Sequence, residues 1–126
     1  MKVKQVIVWR NNLKVRTGKM MSQAAHASLG IFTKVIPENH KDYSDETHEA
    51  IDYWLNNEFT KVVLQVNSEA ELLDLYNKAR YLNIPTILIT DNGKTEFNGV
   101  KTNTCIAIGP DLSDNIDKLT KDLKLM

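Results

Sequence analysis

No aspartate or glutamate occurs before Glu38, although the 126-residue chain balances 16 lysines and arginines against 16 acids. The first 37 residues hold seven bases (Lys2, Lys4, Arg10, Lys14, Arg16, Lys19 and Lys34), leaving nine bases against 16 acids beyond them. Zero net charge excludes a uniformly polyanion-binding surface but permits a local one, because phosphates respond to nearby cations through counterion release. A solvated basic loop and strand edge would give the same count. Cysteine is nearly absent. The lone Cys105 excludes an internal disulfide framework and suits a reducing compartment, while its setting in TCIAI predicts a packed strand thiol. No apolar run approaches the ~18 residues that cross a bilayer, and the opening MKVKQVIVWR is too short and too interrupted for a signal peptide. A soluble, cytoplasmic protein with no membrane partner is expected.

Familiar catalytic signatures are missing too. There is no GxSxG elbow, no phosphate-binding P-loop, no HExxH, and no glycine fingerprint after the first predicted strand. His26, His40 and His48 lack cysteine or carboxylate partners at metal-ligand spacing, so no metal site is expected. Cys105 lacks an evident activating base. Repeats, low-complexity stretches and linkers are also absent, which leaves a single domain over residues 1–126. With 42% hydrophobic residues, such a chain buries roughly two-thirds of its unfolded surface.

What is present alternates strand and helix. Gln5 to Trp9 is an almost wholly apolar run suited to a strand covered on both faces. A basic loop follows from Asn11 to Gly18, and Thr17 is placed to cap a helix from about Lys19 to Lys34, ended by Pro37. Ser44 or Asp45 caps an acidic helix, Glu46 to Asn57, with Ile51, Trp54 and Leu55 on its inner face. Thr60 to Val66 is the second strand, and Ser68 with Glu71 forms a capping box opening a helix to Leu82. Pro85 introduces a third strand, Thr86 to Thr90. Turns at Asp91-Asn-Gly-Lys and Asn98-Gly99 lead to a fourth, Thr102 to Ile108, closed by Gly109-Pro110. Ser113 caps a last helix to about Leu123. Helical crossovers cover both sheet faces and the third and fourth strands pair as a hairpin, giving a three-layer α/β/α sandwich around a mixed four-stranded sheet. Trp9 and Trp54, on apolar faces, read as core.

Open α/β sheets collect ligands beyond the carboxyl ends of their strands. There the helix GKMMSQAAHASLG sets Lys19, Gln23, His26 and Gly30 along one stripe at about 3.6 residues per turn. Met20, Ala24, Ala27 and Ile31 form another, and Lys19 stands at the positive end of the helix. The loop DNGKTEF adds Asp91, Lys94 and Thr95, and the fourth strand adds Thr104. Cations, one carboxylate and several hydroxyls suit hydrolysis by an activated water, or anion binding. Asp91 in a common turn and Lys19 on a first helical turn also have plain structural readings.

Five segments, RTGKMMSQAAHASLG, FTKVVLQVNSEAELLDLYNKAR, IPTILITDNGKTEF, TNTCIAIGP and IDKLTKDLKLM, resemble the type II peptidyl-tRNA hydrolases, in order and over nearly the whole chain. The resemblance implies a mixed four-stranded α/β fold, a homodimer, and hydrolysis of the ester joining a peptide to the terminal ribose of its tRNA. Peptidyl-tRNA is then the partner, and no metal or cofactor is implied. The family's functional lysine falls on Lys19, its helix glutamine and histidine on Gln23 and His26, and its turn aspartate on Asp91. Its two threonines fall on Thr95 and Thr104, with Thr102 close by in the same strand.

Family members commonly write RDAGRT where this chain has TDNGKT, so Thr90 and Lys94 stand where arginines are frequent; a guanidinium fork becomes a point charge or nothing. MMSQ and TKDLKL are further departures. On this reading Asp91 orients or deprotonates a water, Lys19 stabilises the oxyanion or holds the terminal phosphate, and Thr95 with Thr104 positions the carbonyl. Gln23, His26, Lys94, Arg16 and Lys14 contact substrate. An aspartate is a poor base unless burial raises its pKa. Two alternatives share the fold: a non-catalytic tRNA- or protein-binding module, and a hydrolase of another ester or amide.

Overall fold

The computed structural model describes residues 1–126. In chain order it contains β1 (Val3–Arg10), α1 (Thr17–Gly30), α2 (Ile36–Asn39), α3 (Asp45–Asn56), β2 (Lys61–Val66), α4 (Glu69–Tyr81), β3 (Thr86–Asp91), β4 (Thr102–Leu112), α5 (Ser113–Thr120) and β5 (Lys124–Leu125). The strands form one mixed sheet in the order β3-β4-β1-β2-β5.

β1 and β4 are central, and this explains their apolar runs VIVW and CIAI: alternate residues of one strand feed cores on opposite faces. Val6, Val8, Ile106 and Ile108 join Leu72, Leu75 and Ala79 of α4 and Ile116 of α5. Ile7, Trp9, Cys105 and Ala107 point the other way and join Ala27 of α1 and Ile31. Trp54 of α3 is fully buried beside Val3 and stacks on Phe32 at 5.7 Å. Both tryptophans are core, as expected.

β1 runs parallel to β2 and antiparallel to β4, and β4 is antiparallel to β3. The hairpin between β3 and β4 is therefore present, and β1 and β3 point the same way. Their carboxyl ends open at one end of the sheet, beside the start of β4. The chain leaving β1 enters α1 there, and the loop leaving β3 returns to the same place.

The sheet has five strands, not four. β5, only Lys124 and Leu125, pairs antiparallel with Gln65 and Leu64. Two residues carry no periodicity, so this strand is visible only in its pairing. Thr17 is not a cap: it is the first helical residue, and extended Arg16 precedes it without a side-chain cap bond. Pro37 does not end the helical run. A π-helical turn, Ile31–Val35, widens the coil so that the Ile36 N–H bonds Ile31 O, and Pro37 enters at the first turn of α2, where its missing N–H costs nothing. Leu55 is 45% exposed, unlike Ile51 and Trp54. Gly109-Pro110 does not close β4, which continues to Leu112 through a bulge opposite Gln5, whose amide donates to Gly109 O at 3.2 Å. Nor does Ser113 cap α5: Leu112 does so by position, without a side-chain bond.

Ser44 and Ser68 do cap α3 and α4, accepting from the N–H of Thr47 at 3.1 Å and of Glu71 at 3.2 Å. The Glu71 carboxylate in turn accepts from the Asn67 N–H, completing the reciprocal box one residue early.

Candidate functional site

Lys19 stands on the first turn of α1 and Asp91 is the last residue of β3. Their side chains meet at 2.8 Å, Nζ to Oδ1, and are only 15% and 9% exposed. Lys19 Nζ also donates to Thr95 Oγ1 at 2.9 Å, tying the loop after β3 to the helix. Gln23, one helical turn along, reaches Asp91 Oδ1 from Nε2 at 3.4 Å, and the Gly93 N–H donates to Asp91 Oδ2 at 2.8 Å. Both oxygens of one carboxylate are thus held by donors from α1 and from its own loop.

Beneath this surface lies Thr104. It is fully buried, and its hydroxyl donates to Gln23 Oε1 at 2.8 Å and lies 3.3 Å from Ile89 O. The arrangement fixes the Gln23 amide: with Oε1 accepting from Thr104, Nε2 faces the carboxylate. The Thr104 hydroxyl, expected to position a carbonyl, is turned to Gln23 and shielded from solvent. Thr102 turns its hydroxyl to Val100 O instead.

Asp91's pKa falls below the ordinary carboxylate value. The largest cause is the hydrogen bond from Lys19, which together with the Gly93 N–H and the positive charges of Lys19 and His26 outweighs partial desolvation. The burial-raised carboxylate that strong general-base action would need is not there. An ionised, geometrically fixed carboxylate suits orienting a water more than abstracting its proton. Cys105, under the same floor, has the opposite character: burial pushes its thiol up to about 12, against a small opposing effect of the Thr104 bond. It is an inert core thiol.

The remaining sequence-predicted residues spread around this centre. His26 is exposed, with Nε2 3.5 Å from Ser22 Oγ. Lys14 and Lys94 are exposed, and neither enters an ion pair. Arg16, 88% exposed, contacts Glu96 at 3.2 Å. Four of the seven bases of the acid-free segment are paired with later acids: Lys4 with Asp117, Arg10 with Glu69, Arg16 with Glu96 and Lys19 with Asp91. The basic stretch of sequence is thus partly neutralised in space. Glu96 and Glu69 were missed as parts of the site's surround. Glu96 belongs to the DNGKTEF loop, but a lone loop acid has no spacing that announces its partner.

Comparison with known proteins places this geometry in context. The peptidyl-tRNA hydrolase of Methanocaldococcus jannaschii is 41% identical over 124 residues, covering 98% of this chain and all of that one. Those of Methanopyrus kandleri and Sulfolobus acidocaldarius are 39% and 36% identical, each covering 98% of this chain and 97% and 100% of theirs. A solved structure of a protein of unknown function from Agrobacterium tumefaciens superposes with a TM-score of 0.61 at 15% identity, covering 100% of this chain and 98% of that one, and it bears on the fold alone. The family model described as peptidyl-tRNA hydrolase PTH2 matches residues 3–126, so that nearly every residue described above, from β1 to β5, falls inside it. The chain belongs to the PTH2 family of peptidyl-tRNA hydrolases.

Proposed function

We propose that this protein hydrolyses the ester between a peptide and the 3′-terminal ribose of tRNA, releasing both. The observation that carries the reading is the Lys19–Asp91 pair at the shared exit of β1 and β3, in a chain matched throughout by the PTH2 family. A water bound to ionised Asp91 attacks the acyl carbon while the Lys19 ammonium, 2.8 Å from Oδ1, stabilises the oxyanion. As the bond from acyl carbon to ribose oxygen breaks, one proton of the attacking water ends on the ribose oxygen and the other goes to solvent, so the peptide leaves as its carboxylate. Thr95 positions the carbonyl, and Gln23, held from below by Thr104, keeps Asp91 in register.

Lys14, Arg16, Lys94 and His26, all exposed, provide contacts to the substrate around that centre. Helices on both sheet faces support a three-layer arrangement acting as one domain. No helix is long and apolar enough to cross a membrane, and a translation-linked substrate fits the cytoplasm. The homodimer is supported by an apolar groove of about 680 Å³ between α1 and α3, lined by Ala24, Ala25, Leu29, Phe32, Leu55 and Phe59. Leu29, Leu55 and Phe59 of this groove are 45–64% exposed, apolar surface of the kind that marks an association site.

The test is release of labelled peptide from purified peptidyl-tRNA by wild type, Lys19→Ala and Asp91→Asn. Turnover by the wild type that both substitutions remove supports the assignment. Binding of tRNA without any release would instead make the chain a non-catalytic module on the same fold.

A further inference from the structure

β3 is an edge strand with an unusual edge. Thr86 to Thr90 reads TILIT, with no charge, no internal proline and no bulge before Ile89. Uncharged edge strands of this kind pair readily with another extended chain, and proteins ordinarily blunt them. The Gly109 N–H donates to Pro85 O at 2.7 Å, and the register places Ile87 opposite Ala107. Ladder alternation then turns the N–H and C=O of Ile87 toward β4 and those of Thr86 and Leu88 outward.

A groove of about 810 Å³ runs along this edge. His26, Leu29 and Lys34 form one wall, Tyr76 and Arg80 the other, and β3 from Thr86 to Thr90 is its floor. β3 runs one residue past that floor, through a register shift between Ile89 and Thr90, to Asp91. A chain laid on β3 would therefore head toward the Lys19–Asp91 pair.

We propose that the peptide moiety of the substrate docks as an added strand on the free edge of β3, parallel to it, with its acyl end at Asp91. This rests on the hydrolase reading and deepens it by assigning the peptide subsite. Direction follows from geometry, since β3 runs toward Asp91 and the acyl carbon is the peptide's last backbone carbon. Capacity follows from the span: at about 3.3 Å per residue, Thr86 to Thr90 accommodates roughly four residues. The chemistry suits the task. Stalled peptides differ in sequence but share a backbone, and strand addition reads the backbone while alternate side chains lie against two open walls of mixed polarity.

The test uses N-acetylated peptidyl-tRNAs bearing one to five residues, with single N-methyl groups scanned along the peptide. The expected result is a kcat/KM that rises with length and levels off after about four residues. N-methylation at alternate amides lowers it roughly three- to tenfold, and at the intervening amides leaves it unchanged. Cleavage of the one-residue substrate with no effect of length or N-methylation overturns the subsite and leaves the hydrolase reading intact. Failure to cleave any substrate overturns the hydrolase reading. Docking is then decided without turnover by an amide-linked N-acetyl-tetrapeptidyl 3′-aminoadenosine: slowed exchange of the Leu88 N–H supports it, and unchanged exchange refutes it. Leu88 protection that grows with protein concentration in the absence of analogue would assign the edge to a second copy and also refute it.

Discussion

Lys19 Nζ lies 2.8 Å from Asp91 Oδ1 across 72 residues of sequence, joining the head of α1 to the end of β3. The pair forms because β1 and β3 are parallel to each other with β4 between them, so the segments that follow each strand emerge on one side. It also sets the protonation state of the centre, since the Lys19 bond is the largest cause of Asp91's lowered pKa.

A pH consequence follows. A carboxylate whose folded pKa lies below its unfolded value contributes stability that is present above the unfolded value, about 3.9, and lost as pH falls through the folded one. In Lys19→Ala the main cause of the depression is gone. Carbon-13 NMR titration should show the Asp91 carboxyl moving up toward the ordinary range, and the acid limb of any residual activity should move up with it. An unmoved titration would mean that Gly93 and His26, not Lys19, control the charge.

Asp91→Asn keeps the shape and removes the charge. Turnover should fall by about a thousandfold, within the usual range for losing a positioned catalytic group, while the circular dichroism spectrum and cooperative unfolding persist. Full activity in this variant would remove Asp91 from the reaction.

Gly93 has a backbone reason to be glycine. Its φ is +82°, and an added Cβ would stand 2.4 Å from the Val100 carbonyl oxygen, a backbone atom that cannot step aside. Its N–H also holds Asp91 Oδ2. Gly93→Ala should therefore lower kcat at least tenfold by displacing the loop, with the strands unaffected, as amide chemical shifts in β1 and β4 would show.

How much of this was legible depends on what each feature owes to local pattern. β1 and β4 stand out in sequence because burial on both faces makes their central runs, VIVW and CIAI, apolar, and α4 because Ser68 and Glu71 form a spaced pair. β5 and the passage of the helix through Pro37 do not, since one exists only through pairing with β2 and the other through a π-helical turn. The convergence of Lys19 with Asp91 follows from strand order plus the rule that ligands gather at strand ends. The roles of Thr104 and Glu96 needed coordinates: a strand threonine and a loop acid look the same whether they face water, Gln23 or Arg16.

Lys94 supplies a further prediction through its chemistry. An exposed ammonium grips phosphate as a point charge, whereas a guanidinium can make two parallel bonds. Lys94→Arg should tighten tRNA binding, and Lys14→Ala or Lys94→Ala should weaken it and reduce the slope of log K against log salt by about 0.9 for each phosphate no longer neutralised. Fluorescence anisotropy with labelled tRNA at several salt concentrations reads both. A slope unchanged by either alanine substitution would place the tRNA elsewhere.

The α1–α3 groove predicts association in solution. Ala25 is exposed on α1 and lines the groove with Leu29 and Leu55. Ala25→Arg puts an unpaired charge into apolar surface, and sedimentation should show a dimer becoming a monomer with the fold unchanged. A wild type that stays monomeric at high concentration would show that this groove is not covered by a second copy.

Thr104 offers the sharpest separation of support from contact. Its hydroxyl is fully buried and donates to Gln23 Oε1, and Gln23 itself is 3% exposed. Thr104→Val keeps the shape but leaves Oε1 without its donor, a loss of about 1–3 kcal/mol in stability. The amide is then anchored only through the long Nε2 contact to Asp91 Oδ1 at 3.4 Å, so its hold on the carboxylate loosens. Such a defect lies in the catalytic geometry and not in substrate affinity, so kcat should fall while KM holds. Thr104→Ser restores the hydroxyl and should recover most of both stability and kcat. If the valine variant loses stability but keeps kcat, Gln23 does not position Asp91, and the carboxylate is held by Lys19 and the Gly93 N–H alone.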